Sequence, residues 1–349
     1  MLRRTDTDFL WRALSLAGRG EGHTRPNPPV GAVVVKGGKI VGEGWHRRCG
    51  GDHAEVAAIK SAAKRGGAVK GGTIYVTLEP CSKPGRVGAC TDAIVAAGIS
   101  KVVYAVPDPN PVNRGRAKRV LAKHGVECVR PCRANTDPVE WDACGGMKSL
   151  LVSANRLIAP FAKHVTTGMP FVTVKLAMSL DGKICDDSGN AKWISSAESR
   201  KSTGRLRECV DAIMVGAETV RRDDPSLLSH RRRNDDLIRV VISKSGRLPK
   251  TAQVFTDAAP NPTLVYRDAR AALEDLGRRG VMHVLCEGGL NLARSLVEEG
   301  LVDRWLRITS PVVIGSKPLS EATWFSLVGS GFSDPFAGDC EAEYDLRKV

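Results

Sequence analysis

His53-Ala54-Glu55, then Glu79-Pro80-Cys81-Ser82, then Cys90 are the residues on which the reading of the first half of this chain turns. One histidine and two cysteines supply three ligands for zinc and leave the fourth tetrahedral position to water, the arrangement of a catalytic rather than a structural site. A glutamate two residues after the histidine can move protons to and from whatever that water attacks. Outward from these residues the elements alternate. Helical spacing over Asp8 to Ala17 is followed by strands Val30 to Lys36 and Ile40 to Trp45 about a Gly37-Gly38 turn, then a helix from about His53 to Lys64. A strand Thr73 to Leu78, a helix after Cys90, a strand Lys101 to Val106, and a helix and strand from about Arg116 to Val129 complete the series. That alternation implies a layered α/β domain with the metal segments opening at helix amino termini, where the helix dipole favours thiolate and hydroxide.

The chemistry this ligand set serves is hydrolytic deamination: the metal lowers the pKa of bound water, and the glutamate, which is not a ligand, protonates the ring nitrogen and then the leaving ammonia. The spacing narrows the substrate. Deaminases of nucleic acids and free nucleosides carry two cysteines two residues apart, whereas eight residues separate Cys81 from Cys90. The insert contains Pro84, Gly85 and Gly88, which let it loop out and return, and Lys83 and Arg86, which bring positive charge for an anionic group such as a phosphate. Asn27, between two prolines, is held in a restricted segment from which its amide can meet a pyrimidine edge; its plainer reading is a turn residue.

The pattern resembles the bifunctional deaminase-reductases of riboflavin biosynthesis. The resemblance is carried by Arg25-Pro-Asn-Pro-Pro-Val-Gly31, Gly44-Trp-His46, His53-Ala-Glu55, Thr77-Leu-Glu-Pro-Cys-Ser82, Gly85-Arg86, Cys90 and Asp108-Pro-Asn-Pro111, in that order. It continues through Val172 to Lys183, Trp193-Ile-Ser-Ser196, Asp211 to Gly216, Asp223-Asp-Pro225 and Glu287-Gly-Gly289. It implies a cytidine-deaminase-like three-layer domain over about 1–150 and a dihydrofolate-reductase-like α/β domain over 168–349, joined through about 131–170. It also implies His53, Cys81 and Cys90 as ligands of one Zn2+, Glu55 as the catalytic proton carrier, and substrate contacts at Asn27, His46, Lys83 and Arg86.

The second half alternates again: strand Phe171 to Ser179, helix near Ser199 to Arg207, strands Asp211 to Val215 and Leu237 to Ile242, and a short strand Thr263 to Tyr266. Helix Ala269 to Arg278, strand Val281 to Cys286, helix Leu290 to Glu298 and strand Arg304 to Thr309 follow. Period two along the first strand puts Lys175, Ala177, Ser179 and Asp181 on one face if the strand runs that far, with small residues leaving room for a flat ring. Glycines 288 and 289 at a strand-to-helix turn let backbone amides approach a phosphate, a weak signal alone. The resemblance implies NADPH contacts at Lys175, Ala177, Trp193, Thr219 and Asp223. Around the turn it adds Gly288, Gly289, Leu290, Asn291, Leu292, Ala293, Arg294 and Ser295. It implies reductase substrate contacts at Ala191, Arg207, Leu227 and Glu287, with either His230 or Arg231 meeting the substrate phosphate.

Composition sets the outer bounds. A chain of 349 residues accommodates two domains with their own cores. No apolar run approaches the roughly 20 residues that span a bilayer, and Met1-Leu-Arg-Arg4 opens no secretory signal, so the expectation is a cytoplasmic protein without membrane contact. Ten cysteines at scattered spacing fit reduced thiols plus one metal site. A second zinc site from Cys128, Cys132 and Cys144 is disfavoured because metal-site cysteines come in close pairs. The net charge of +14 fits phosphorylated pyrimidine substrates and a phosphorylated dinucleotide; nucleic acid as a partner is disfavoured by the spread of the basic residues and the scarcity of aromatics among them. A homo-oligomer is expected. Alternatives are a nucleic-acid-editing zinc deaminase and a deaminase-reductase acting on a related aminopyrimidine. The second is permitted by departures from the family pattern at Lys83-Pro84, Gly88-Ala89 and Leu227-Leu-Ser-His230.

Overall fold

The computed structural model describes residues 4–83, 87–131, 147–189, 191, 194–229, 237–257, 259–315, 323–324 and 340–345. The chain divides between Gly168 and Met169 into two compact units.

The first unit is built on a five-stranded sheet of order β2-β1-β3-β4-β5, formed by β1 (Gly31–Lys36), β2 (Lys39–Trp45), β3 (Thr73–Leu78), β4 (Lys101–Val106) and β5 (Glu127–Val129). β1 runs antiparallel to β2 and β3, while β3, β4 and β5 are parallel. Alternation along β1 explains the three layers. Ala32 and Val34 face one core with α2 (Ala54–Lys64), α3 (Cys90–Ala96) and α4 (Arg116–Ala122), through Ala54, Ala58, Ile94, Ala117 and Leu121. Val33 and Val35 face the other with α1 (Arg4–Gly18) and α5 (Met147–Thr167), through Leu10, Leu14, Leu150, Ala154 and Ile158. The apolar stretch 150–161, assigned from sequence to the junction, is therefore part of a helix packed on the first unit.

One close approach matters for the site. The small stripe Ala54, Ala58, Ala62 of α2 lies against the glycines of β2: a Cβ at Gly44 would sit 2.4 Å from the Ala58 nitrogen and 2.7 Å from the Ala54 oxygen. Only glycine lets the helix seat this deeply, and this seating fixes the start of α2, where the first candidate ligand stands.

The second unit holds a seven-stranded sheet of order β14-β11-β6-β10-β7-β8-β9. Its strands are β6 (Phe171–Met178), β7 (Ala212–Gly216), β8 (Ile238–Ile242), β9 (Leu264–Tyr266), β10 (His283–Cys286), β11 (Arg304–Thr309) and β14 (Cys340–Asp345). All pairings are parallel except that of β11 with β14. Strands β12 (Val312–Val313) and β13 (Thr323–Trp324) form a separate ribbon. Helices α9 (Ala269–Arg278) and α10 (Leu290–Glu298) cover one face over Val174, Met214, Val240 and Val284. On the other face Ile213, Val215 and Leu285 pack with residues of α7 (Ala217–Asp223) and α8 (Gln253–Thr256), and Leu206 of α6 (Ala197–Glu208) joins them. Strands buried on both faces read as continuous apolar runs, which is why their limits were legible in the sequence.

Strand β6 ends one residue short of the expected face. Past Met178 the chain turns: Ser179 N donates to Lys183 O at 2.8 Å, and the Asp181 carboxylate accepts from Ile314 N and Gly315 N at 3.2 and 2.9 Å. Ser179 and Asp181 thus build a turn, and only Lys175 and Ala177 keep the shared face. No helix among the described residues is long and apolar enough to cross a membrane.

Candidate active sites

Helix α2 opens with His53 as its N-cap residue, α3 opens with Cys90, and Cys81 follows β3 by three residues. Their Nδ1 and Sγ atoms all lie within 4.8 Å of one another. The His53 Nδ1 is 3.2 Å from Cys90 Sγ and 3.6 Å from Cys81 Sγ. A tetrahedral zinc with Zn–N and Zn–S bonds of ordinary length has His–Cys ligand edges of about 3.5 Å, and the two distances from His53 match it within a few tenths of an ångström. The Cys90 thiol and then the His53 ring hydrogen-bond to Cys81 and, against burial, pull its thiol down to about 4; the Cys90 N–H adds a bond to the same sulfur at 3.3 Å. Among the described residues no other group of three His, Cys, Asp or Glu side chains is placed to hold a metal. The imagined second cysteine site lies partly on residues 132 and 144, outside the described residues.

Glu55 stands in the first turn of α2 at 3% exposure. Burial, followed by the charge of Cys81, raises its carboxyl to about 7, the range in which one group both takes and gives a proton at neutral pH. His46 completes the floor. The Asp52 carbonyl, which only accepts, lies 3.0 Å from His46 Nδ1, so that nitrogen carries the proton and Nε2 accepts from the Asn27 amide at 3.0 Å. Burial holds the His46 ring below its usual pKa, so it is neutral, and its donation pattern turns the Asn27 amide nitrogen away and leaves the Asn27 oxygen to accept.

These residues share a cavity of about 380 Å³. Asn27, His46, His53, Glu55 and Cys81 line it as the sequence led one to expect. Lys83 does not: it is exposed and off the cavity wall. Arg86 lies outside the described residues. Two groups were not foreseen. Phe161, His164 and Val165 of α5 form part of the wall, announced in sequence only by the helical spacing of Leu150, Ala154, Ile158 and Phe161. Glu79, 2% exposed, accepts from the backbone nitrogens of Asp108, Gly115 and Ala117 at 3.2, 3.0 and 3.2 Å, bracing the loop that brings Asp108, Asn110 and Asn113 to the cavity.

The second unit has two adjoining cavities over the carboxyl ends of its parallel strands, the usual ligand position in such sheets. The smaller, about 480 Å³, is lined by Lys175, Ala177, Ala191, Arg207 and Glu287 among the expected residues, with Ser195 and Arg200 in addition. The larger, about 860 Å³, is lined by Thr219, Gly289, Leu290, Asn291, Leu292 and Ser295. Asp223, Ala191 and Ile184 border both. Arg207 and Glu287 meet as a bidentate pair, Nε to Oε1 at 2.6 Å and Nη2 to Oε2 at 3.0 Å, and Arg207 Nη1 reaches the Leu228 carbonyl at 3.3 Å. Burial raises the Glu287 carboxyl, but Arg207 and then Lys175 outweigh it and hold it below the usual range.

Four expected residues stand elsewhere. Leu227 is 2% exposed in the core, with a left-handed backbone at φ 58°, and packs among Ile213 and Val241. Ala293 is buried on the inner face of α10. Arg294, on its outer face, pairs with Glu298 at 2.7 Å. Gly288 lies beneath Leu292, whose Cδ2 would be 2.8 Å from any Cβ there. Period 3.6 along α10 separates Ala293 and Arg294 from Asn291 and Ser295, a distinction that a contiguous run of residues erased. Trp193, His230 and Arg231 lie outside the described residues.

Comparison with known proteins agrees with this division. A family model of the cytidine and deoxycytidylate deaminase zinc-binding region matches residues 3–106, and one of the RibD C-terminal domain matches 170–326. The riboflavin biosynthesis protein RibD of Aquifex aeolicus is 36% identical over 339 residues, covering 90% of this chain and 89% of its own. Among solved structures, the diaminohydroxyphosphoribosylaminopyrimidine deaminase/5-amino-6-(5-phosphoribosylamino)uracil reductase of Thermotoga maritima is 33% identical with a TM-score of 0.79, over 97% of this chain and 98% of that one. RibD of Acinetobacter baumannii is 30% identical with a TM-score of 0.76 over the same shares.

Proposed function

The chain belongs to the RibD family, the bifunctional deaminase-reductases of riboflavin biosynthesis, and on that premise we propose that its two units act in turn on one phosphorylated pyrimidine. The first deaminates 2,5-diamino-6-ribosylamino-4(3H)-pyrimidinone 5′-phosphate by hydrolysis; the second reduces the ribosyl group to ribityl with NADPH. The observation that carries the reading is the clustering of His53, Cys81 and Cys90 beside a cavity that His53, Cys81 and Glu55 line and whose remaining polar groups suit a pyrimidine edge.

His53, Cys81 and Cys90 would hold a zinc ion, which when bound would lower the pKa of a water enough for it to act as a nucleophile at neutral pH. Glu55 is placed to accept one proton and give it to the ring nitrogen, then to accept a second from the added hydroxyl as that becomes a carbonyl and give it to the departing amine; its raised carboxyl suits both directions. Asn27, turned by neutral His46, offers its oxygen to an amine of the substrate. Phe161 gives the ring an apolar wall.

In the second unit, NADPH when bound would supply the hydride that reduces the opened ribosyl carbon. Lys175 and Ala177 on β6 face the smaller cavity, where the sugar is held, and Asp223 borders both chambers. Arg207, already bound through two nitrogens to Glu287, is a rigid wall for the sugar rather than a free phosphate clamp. The amides around Gly289 at the start of α10 suit the coenzyme pyrophosphate. A homo-oligomer working in the cytoplasm completes the reading; sedimentation and cell fractionation test those two points.

The test is ammonia release from the diamino-pyrimidinone ribosyl phosphate without NADPH, by wild type and by Glu55→Gln, with zinc measured in both. Release by wild type, and a loss of about 10³-fold in the variant at equal zinc content, supports the reading. Equal release, or none from zinc-loaded wild type, refutes the deaminase half.

A further inference from the structure

The loop from β4 to α4 carries Asp108, Asn110 and Asn113 to the wall of the deaminase cavity, and its backbone is tightly held. Glu79 accepts the Asp108, Gly115 and Ala117 N–H groups, Asn113 N donates to Asn110 O at 3.0 Å, and Arg116 N donates to Asn113 O at 3.0 Å. The side-chain oxygen of Asn110 is taken by Val112 N at 3.0 Å. Asp108 is 4% exposed, and its carboxylate accepts from Asn110 N at 2.8 Å and from the Asn113 side chain. Burial raises the Asp108 carboxyl, and these two bonds oppose the rise. Only the amide nitrogen of Asn113 can donate to a carboxylate, so the orientation of that amide is fixed and its Oδ1 is turned away from Asp108. This Oδ1 is buried and has no hydrogen-bond donor among the described residues. A buried acceptor without a donor is costly, and native proteins hold few of them.

We propose that Asn113 is a specificity residue of the deaminase, its Oδ1 accepting a hydrogen bond from a substrate donor other than the amine that leaves: the 5-amine or a ribosyl hydroxyl. The inference rests on the reading of this unit as a pyrimidine deaminase and assigns a recognition contact within it. The topology supports it. Cys81 follows β3 and Asp108 follows β4, and these strands are parallel neighbours about 4.8 Å apart, with Leu78 opposite Val106. A ring presented to the zinc ligands at the end of β3 is thus about one strand spacing from the β4–α4 loop, which meets the far edge of the ring or its sugar. The bond to Asp108 gives the contact its selectivity. An amide free to turn would offer either its oxygen or its nitrogen, whereas this one offers oxygen alone, and a molecule without a donor at that point leaves the oxygen unmatched.

The test sets the full zinc-loaded wild-type chain against Asn113→Leu, which keeps the shape of the side chain without its polar atoms, and Asn113→Ala, which adds no bulk. Ammonia release is followed on the diamino-pyrimidinone ribosyl phosphate, on the analogue lacking the 5-amine, and on the 2′- and 3′-deoxyribosyl analogues. Wild type is expected to lose about 10-fold or more in kcat/KM on the analogue that lacks the matching donor. At equal zinc content each variant is expected to lose a similar factor on the full substrate and to treat that analogue and the substrate alike within about twofold. The analogue that couples in this way tells the amine from the hydroxyl. A wild type that handles every analogue as well as the substrate overturns the proposal whether or not the variants fold. Variants that keep the wild-type discrimination overturn it too, since that is the behaviour of a side chain that only braces Asp108. Failure of zinc-loaded wild type to release ammonia from the full substrate overturns the deaminase reading itself.

Discussion

Replacing Glu79 by glutamine removes half of a buried acceptor and tests how the deaminase cavity is held. The carboxylate takes the Asp108 and Gly115 N–H groups on Oε2 and the Ala117 N–H on Oε1. An amide has one acceptor oxygen, so in either orientation its NH2 faces at least one buried backbone donor. A buried donor left unmatched costs about 1–3 kcal/mol, and the remaining bonds lose the charge on their acceptor. The expected local penalty is about 2 kcal/mol, which corresponds to an open state of the 108–117 segment populated about 30-fold more often. Amide hydrogen exchange followed by mass spectrometry reads this directly, with peptides of the second unit as the internal reference. The expected outcome is about 30-fold faster exchange confined to 108–117, together with a raised KM for deamination at unchanged zinc content, because Asp108, Asn110 and Asn113 lie on the cavity wall. Exchange at the three amides within twofold of wild type would refute the reasoning.

Gly44→Ala places a Cβ 2.4 Å from a backbone nitrogen of α2, so we expect a loss of at least about 2 kcal/mol in thermal denaturation and weaker zinc retention, since His53 caps that helix; an unchanged Tm with full zinc sinks the idea. Glu287→Gln strands Arg207 in a mostly buried position and should destabilise the second unit by about 3 kcal/mol, whereas Arg207→Met with Glu287→Met recovers most of it, which a double-mutant cycle in urea would show. Because the folded carboxyl of Glu287 is held below its unfolded value, its contribution is complete above the ordinary carboxylate range and is lost as the pH falls through the folded pKa; acid titration of Glu287→Gln should lack that component. Chelating the zinc should stop ammonia release yet leave NADPH oxidation on the already deaminated intermediate, and a parallel loss of both steps would contradict the separation of the two sites.

What the sequence disclosed and what it hid differ in physical kind. The placement of His53, Glu55 and Cys90 was legible because it depends on local position at helix starts, and the strands of the second unit because burial on both faces writes unbroken apolar runs. The cavity wall from α5 was not legible: Phe161 and His164 reach the site only through packing against strands more than 50 residues earlier. Nor was the Arg207–Glu287 pair, whose members are 80 positions apart, so each read separately as a substrate contact. Lys83 read as a pocket charge because it adjoins a ligand, but its side chain is exposed and does not line the cavity. Ser179 and Asp181 read as strand because alternation continues past Met178 although the backbone has already turned to bond Lys183 and Gly315.

The central claim is that one chain deaminates and then reduces the same pyrimidine. The most direct measurement follows ammonia and NADPH together as zinc-loaded wild type converts the diamino-pyrimidinone ribosyl phosphate. The account predicts one ammonia released and one NADPH oxidised per substrate, with ammonia leading and NADPH oxidation lagging behind it. NADPH oxidation without ammonia, or neither signal from protein that holds zinc, would contradict it.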